Sequence, residues 1–223
     1  MTRLALLAAT TALIMGAAGL SPQTLGSAAQ AQDAKAVQDG AIDTAEEAAT
    51  EVIEMSMGNP DAEVTVIEYA SFTCPHCKNF HAGPLKELKS EYIDPGKINF
   101  IYREIYFDRY GLWAGMLARC GGPARYFGLA DLLYEQQSEW TKGEPAQVAD
   151  NLRRLGKTAG LEEDRIEACM SDADKAQAMV ARFEETSKAD DINSTPSFVI
   201  NGKKYSNMNY EDFSEILDAE LAE

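Results

Sequence analysis

The sequence predicts an α/β domain that opens with a parallel strand-helix-strand unit, closes with an antiparallel hairpin and a helix, and carries an all-helical block between the two. Three observations carry this. Val64 to Ala70 is apolar on both alternating sets, as in a central strand covered on both faces, and it leads straight into Cys74-Pro75-His76-Cys77. Asn201-Gly202 between Ser197–Ile200 and Lys203–Tyr205 is a two-residue hairpin signal. Between them, from Arg109 to about Asp190, the hydrophobic period is helical throughout.

The chain starts with Arg3, an apolar run from Leu4 to Leu20, and small residues ending in Ala29-Gln30-Ala31. That is the pattern of a secretory signal peptide over residues 1–31, the alternative being an uncleaved membrane anchor. Cleavage after Ala31 leaves 192 residues, enough for one ordinary domain or one domain with an insertion. The mature net charge is then −17, against −16 for the whole chain, which argues against nucleic acid or an anionic membrane surface as a partner. All four cysteines lie in the exported part, and an oxidising compartment, expected to be a bacterial periplasm, permits disulfides there. Residues 32–51 hold six acids against the single Lys35 and almost no large apolar groups, the composition of a flexible acidic leader.

The ordered chain is expected to begin with a short edge strand in Val52–Met57 and a turn at Gly58-Asn59-Pro60-Asp61. After Cys77 a helical pattern runs through Phe80, Leu85, Leu88 and Tyr92, with Pro84 forcing a kink or a restart. Ile98–Phe107, rich in β-branched and aromatic residues, reads as the next strand. In the helical block, Leu112, Trp113, Met116, Leu117 and Cys120 share one face, Gly121-Gly122-Pro123 breaks the chain, and Tyr126 to Tyr134 resume it. Further helices are expected around 148–155, 162–170 and 174–187. A last helix carries Tyr210, Phe213, Ile216, Leu217 and Leu221 on one face, with Asn209 as its cap. The resulting parts are 52–108 and 191–223 for the sheet-bearing domain and 109–190 for the insertion.

Two cysteines separated by two residues at the mouth of a helix are suited to thiol-disulfide exchange. The thiolate is the reacting form, and the first helical turn offers it unpaired N–H groups and the positive end of a dipole. One turn brings the two sulfurs within bonding distance. An inert staple is a poor alternative, since so short a loop constrains the unfolded chain little. A zinc site using Cys74, Cys77 and His81 lacks a fourth ligand, and haem attachment needs a histidine where the chain has Lys78. His76 either stabilises the Cys74 thiolate or is an exposed loop residue, and His81 reads as a partly buried helix residue without a role.

Cys74-Pro75-His76-Cys77 after a strand, Thr195-Pro196 just before another, and the helical block between them resemble the DsbA family of periplasmic disulfide oxidoreductases, over about Glu54 to Leu221. The resemblance implies a thioredoxin-like fold with an inserted all-helical domain. It also implies a cis bond between Thr195 and Pro196 packed against the cysteines, shaping the groove that takes substrate. It places at Glu68 an acid that modulates the redox pair. Desolvation in an apolar strand should raise the pKa of such an acid and let it trade protons with Cys77, unless it reaches solvent or pairs with Arg103. Some relatives carry a second bridge, so a disulfide between Cys120 and Cys169 is the expected state, two separate buried thiols being the alternative.

The function so implied is oxidation of thiols in exported polypeptides by a monomer without organic cofactor or metal, reoxidised by a DsbB-like membrane protein with a quinone. Two rivals stay open. Thr195 also occurs before the cis-proline in relatives that isomerise or reduce disulfides, and a redox-silent holdase would use the same hydrophobic groove.

Overall fold

The computed structural model describes residues 51–222. The expected signal peptide and nearly all of the acidic leader lie outside the described residues. Five strands form one sheet in the order β1-β3-β2-β4-β5: β1 Met55–Gly58, β2 Val64–Ala70, β3 Ile98–Glu104, β4 Ser197–Ile200 and β5 Lys203–Ser206. β2 and β3 are parallel and the other pairs antiparallel, so β2 is central and β1 and β5 are the edges. β1 must end on a glycine. Gly58 has φ +86°, and a Cβ there would stand 2.3 Å from the Ile98 carbonyl oxygen.

β3 is shorter than its apolar run. Its last ladder bond is from Ile105 N to Ala70 O, and Ala70 is where β2 ends, so the chain beyond has no partner strand and Phe107 is 62% exposed. The β4–β5 turn takes positive φ at both Asn201 and Gly202, the geometry that suits the right-handed twist of a hairpin. Asn201 also accepts the Thr65 N–H at its side-chain oxygen.

Helices α1 (Pro75–Ala82) and α2 (Pro84–Leu88) are one helical run broken at Gly83-Pro84 and continued by a π-helical turn over Lys89–Ile93. The helical block follows: α3 (Arg109–Cys120), α4 (Pro123–Glu135), α5 (Gln137–Trp140), α6 (Pro145–Thr158), α7 (Glu163–Met170) and α8 (Ala173–Ala189). Asp108 caps α3 by accepting the N–H groups of Tyr110 and Gly111, and Gly122 with φ +70° turns the chain so that Pro123 can open α4. Asn209 caps the last helix, α9 (Tyr210–Glu220), by accepting the Asp212 N–H.

The sheet buries both faces. Val64, Val66, Phe100, Phe198 and Ile200 pack under α1, α2 and α9, and farther along the same face Ala70 and Tyr102 meet the helical block. The opposite face, with Tyr69 and Val199, is covered by Phe183 of α8 and by Ile192. A disulfide joins Cys120 at the end of α3 to Cys169 near the end of α7, across 49 positions. The layers therefore leave the C-terminal end of β2, where the two remaining cysteines begin α1, at the junction of sheet and helical block.

Candidate redox site

Ser71, Phe72 and Thr73 turn the chain out of β2, and the Cys74 N–H closes that turn on the Ser71 carbonyl at 3.0 Å. Cys74 is the N-cap of α1, with extended backbone, and Pro75 occupies the first helical position, where a missing N–H costs nothing. Cys74 is partly exposed and Cys77 is completely buried, both as free thiols. The Thr195–Pro196 bond is cis, and the Thr195 carbonyl oxygen lies 3.5 Å from Cys74 Sγ.

The two sulfurs are tuned apart. A hydrogen bond from Cys77, then one from the Thr195 side chain and the backbone N–H groups of Cys77 and His76, outweigh desolvation and bring the Cys74 thiol down to about 5. Burial first, then the hydrogen bond to Cys74 and the charge of Glu68, push the Cys77 thiol far up. At neutral pH the site holds an accessible thiolate next to a buried thiol.

Of the two readings open for His76, the side chain fits the exposed one: it makes no hydrogen bond to Cys74 among the described residues, while its backbone N–H is one of the donors to Cys74. The reason is geometric, since side chains in the first turn of a helix point outward from the cap while N–H groups point at it.

Glu68 does not reach solvent and does not pair with Arg103. It is fully buried between Tyr102 and Phe198 on the neighbouring strands, and its two oxygens lie 3.1 and 3.0 Å from His81 Nε2. Arg103 points to the other face of the sheet, where it binds Glu54, the Tyr69 hydroxyl and Asp190. His81, read as a bystander, is thus the partner of the buried acid, and its ring packs against Tyr134 with centroids 4.1 Å apart and the planes tilted by 33°. Its spacing was a usable signal: His81 follows Cys77 by four positions, so both share a helix face.

Two supports of the loop had no local signal. Gln137 donates its side-chain amide to the carbonyls of Phe72 and Cys74, at 2.8 and 3.0 Å. Thr73 donates to the Asp108 carboxylate at 2.9 Å, tying the cysteine loop to the start of α3.

A family model described as thioredoxin matches residues 50–219. The chain is 33% identical over 171 residues to a putative protein-disulfide oxidoreductase of Rickettsia bellii, an alignment covering 76% of this chain and 65% of that protein. It thus spans slightly less than two thirds of that relative's length. It is 25% identical over 175 residues to disulfide bond formation protein D of Bacillus subtilis, covering 74% and 76%. Among solved structures it is similar to Wolbachia pipientis alpha-DsbA1, with a TM-score of 0.70 and 26% identity over 79% of this chain and 96% of that one. Among the described residues no helix is long and apolar enough to cross a membrane.

Proposed function

The chain belongs to the thioredoxin family, in its DsbA-like form, and from that premise we propose that it is a protein dithiol-disulfide oxidoreductase that oxidises the thiols of exported polypeptides in the periplasm. The observation that carries the reading is the contrast between the two sulfurs, an accessible Cys74 thiolate held down to about 5 beside a buried Cys77 thiol.

In the oxidised enzyme a client thiolate attacks Cys74 Sγ, the more accessible sulfur, and the Cys74–Cys77 bond breaks with its electron pair on Cys77. A second client thiolate then attacks the client sulfur of the mixed disulfide and expels Cys74. A leaving thiol of low pKa leaves fast, so the donors around Cys74 favour release of oxidised client. Pro75 sets the first helical position, and the His76 backbone N–H adds one donor. The client backbone lies extended along Thr195 and Pro196, whose carbonyl side faces Cys74. Glu68 exchanges a proton with Cys77, and the Cys120–Cys169 bridge braces the helical block. Two electrons then pass to an outside acceptor, a DsbB-like quinone-linked membrane protein, and the enzyme works as a monomer.

The deciding measurement is the equilibrium redox potential of the Cys74/Cys77 pair by glutathione titration, with Cys120 and Cys169 tracked separately by mass. A value near the −120 mV or so of a strong oxidant of this fold supports an oxidase, whereas one near about −270 mV makes the protein a reductant. In parallel, Cys74→Ser should abolish thiol oxidation, and Cys77→Ser should accumulate mixed disulfides with clients. Client binding that survives loss of both cysteines, without turnover in the wild type, would favour a holdase.

A further inference from the structure

Glu68 and His81 are fully and almost fully buried, with side-chain exposures of 0% and 3%. His81 Nε2 is taken by the Glu68 carboxylate. The other ring nitrogen, Nδ1, is also buried and has no hydrogen-bond partner among the described residues. His81 is also one of the residues lining a cleft of about 100 Å³, together with Lys78, Ala82, Lys86, Asp131, Tyr134 and Glu135. His81 therefore stands between the buried acid and the cleft. An imidazole in that position takes a proton at one nitrogen and gives one up at the other.

We propose that His81 is the proton relay of the redox pair, carrying protons between the cleft and Glu68, which exchanges them with Cys77. This rests on the dithiol-disulfide reading above and deepens it. The need for such a relay follows from the reaction. When a thiolate bonds to Cys74 Sγ and the Cys74–Cys77 bond breaks, the electron pair remains on a buried sulfur, and a buried thiolate is costly. Cys77 takes a proton from the Glu68–His81 pair, and the pair regains one from water in the cleft through Nδ1. On reoxidation the same proton travels outward. Cys77 and His81 are one turn apart on α1, and Glu68 lies on β2 beneath them.

The groups that face His81 leave this path distinct. From α1 come Cys77 and Lys78, from α2 Lys86, from β2 Glu68, from β3 Tyr102, and from α4 Asp131, Tyr134 and Glu135. Burial first, and then nearby charge that includes Glu68, hold the two tyrosine hydroxyls well above their ordinary range, so neither trades protons near neutrality. Burial raises Asp131 and the His81 charge opposes it, so this carboxyl at the cleft wall is electrostatically coupled to His81.

The test is single-turnover reduction of the Cys74–Cys77 disulfide by dithiothreitol, in the whole protein, across pH. It reads departure of Cys77 whichever way the enzyme works in the cell. His81→Gln keeps a donor to Glu68 but cannot relay, and should lose on the order of a hundredfold in rate, with a flattened pH profile. His81→Ala should recover in proportion to added imidazole, and other buffers at the same pH should do nothing. A wild-type rate in folded His81→Gln, or an imidazole-independent His81→Ala, overturns the relay. Should neither variant fold, the wild type decides alone: slower reduction in deuterium oxide at matched thiolate concentration is expected, and equal rates overturn the relay. A potential typical of a reductant sinks the oxidase reading and leaves the relay standing, so the two failures are distinguishable.

Discussion

The side-chain amide of Gln137 holds the carbonyl oxygen of Cys74 at 3.0 Å, across 63 positions of sequence. The same nitrogen binds the Phe72 carbonyl at 2.8 Å, so one buried side chain from α5 fixes the main chain on both sides of Thr73. Through this contact the helical block positions the cap residue of α1, and hence the N–H groups that hold the Cys74 thiolate. Gln137→Leu would remove that donor from both carbonyls, leaving the Cys74 carbonyl with the Lys78 N–H alone. A stability loss of about 1–3 kcal/mol is expected by urea denaturation. The redox potential should become less oxidising, because donors that are less well aimed stabilise the thiolate less. An unchanged potential would show that α1 alone fixes the cap.

A second buried contact tests the division between stability and chemistry. Arg119 binds both oxygens of Glu104, at 2.7 and 2.6 Å, and the Tyr126 hydroxyl donates to the same carboxylate at 2.7 Å. Arg119 also donates to the Ile53 carbonyl at 2.8 Å, fastening the chain that leads into β1. Arg119→Met leaves a buried carboxylate uncompensated and should cost about 3–5 kcal/mol. Removing both charges, Arg119→Met with Glu104→Met, should recover most of that loss, and a double-mutant cycle reads the coupling. Neither residue contacts Cys74 or Cys77, so the redox potential of the folded single variant should stay at the wild-type value.

What the sequence made legible was local or periodic. β2 shows as an apolar run with one misfit, Glu68, and the structure pairs that misfit with His81 rather than with water. The hairpin at Asn201-Gly202, the restart at Pro84 and the cap at Asn209 each follow from a residue whose own backbone or side chain demands it. The site contacts that were missed join distant segments: Gln137 to the Cys74 loop, Thr73 to Asp108. A glutamine on a short helix has no pattern that announces a partner 63 positions away. His81 lay between these cases, because its spacing from Cys77 was readable while its buried acid sat on another element.

The Cys120–Cys169 bridge closes a loop of 49 positions between α3 and α7. The chain-entropy account puts its contribution at no more than about 4 kcal/mol. Replacing both cysteines by alanine should lower the unfolding free energy, measured by urea denaturation, by up to that amount. The m-value should rise, because the unfolded chain without the bridge is less compact and exposes more surface. Replacing Cys120 alone should be worse than replacing both, since it frees Cys169 to exchange with Cys74 in trans and form covalent dimers on non-reducing gels.

The contrast between Cys74 and Cys77 also fixes how the protein responds to pH. In the folded, reduced enzyme Cys74 ionises at about 5, against about 8.5 for a cysteine in an unfolded chain. A lowered folded value stabilises the reduced protein above the unfolded value, and that stabilisation is lost as pH falls through about 5. The oxidised protein has no such group, so the reduced form should lose stability relative to the oxidised form between pH 8.5 and 5, and level off below. The redox potential carries the same signature. Between pH 5 and 8.5 reduction takes two electrons and one proton, because Cys77 is protonated and Cys74 is not, and the potential should fall by about 30 mV per pH unit. Below pH 5 both sulfurs take a proton and the slope should double to about 59 mV. A slope near 59 mV throughout would mean that Cys74 is a thiol at neutral pH, and that the donors of Cys77, Thr195 and the first turn of α1 do not hold it as a thiolate.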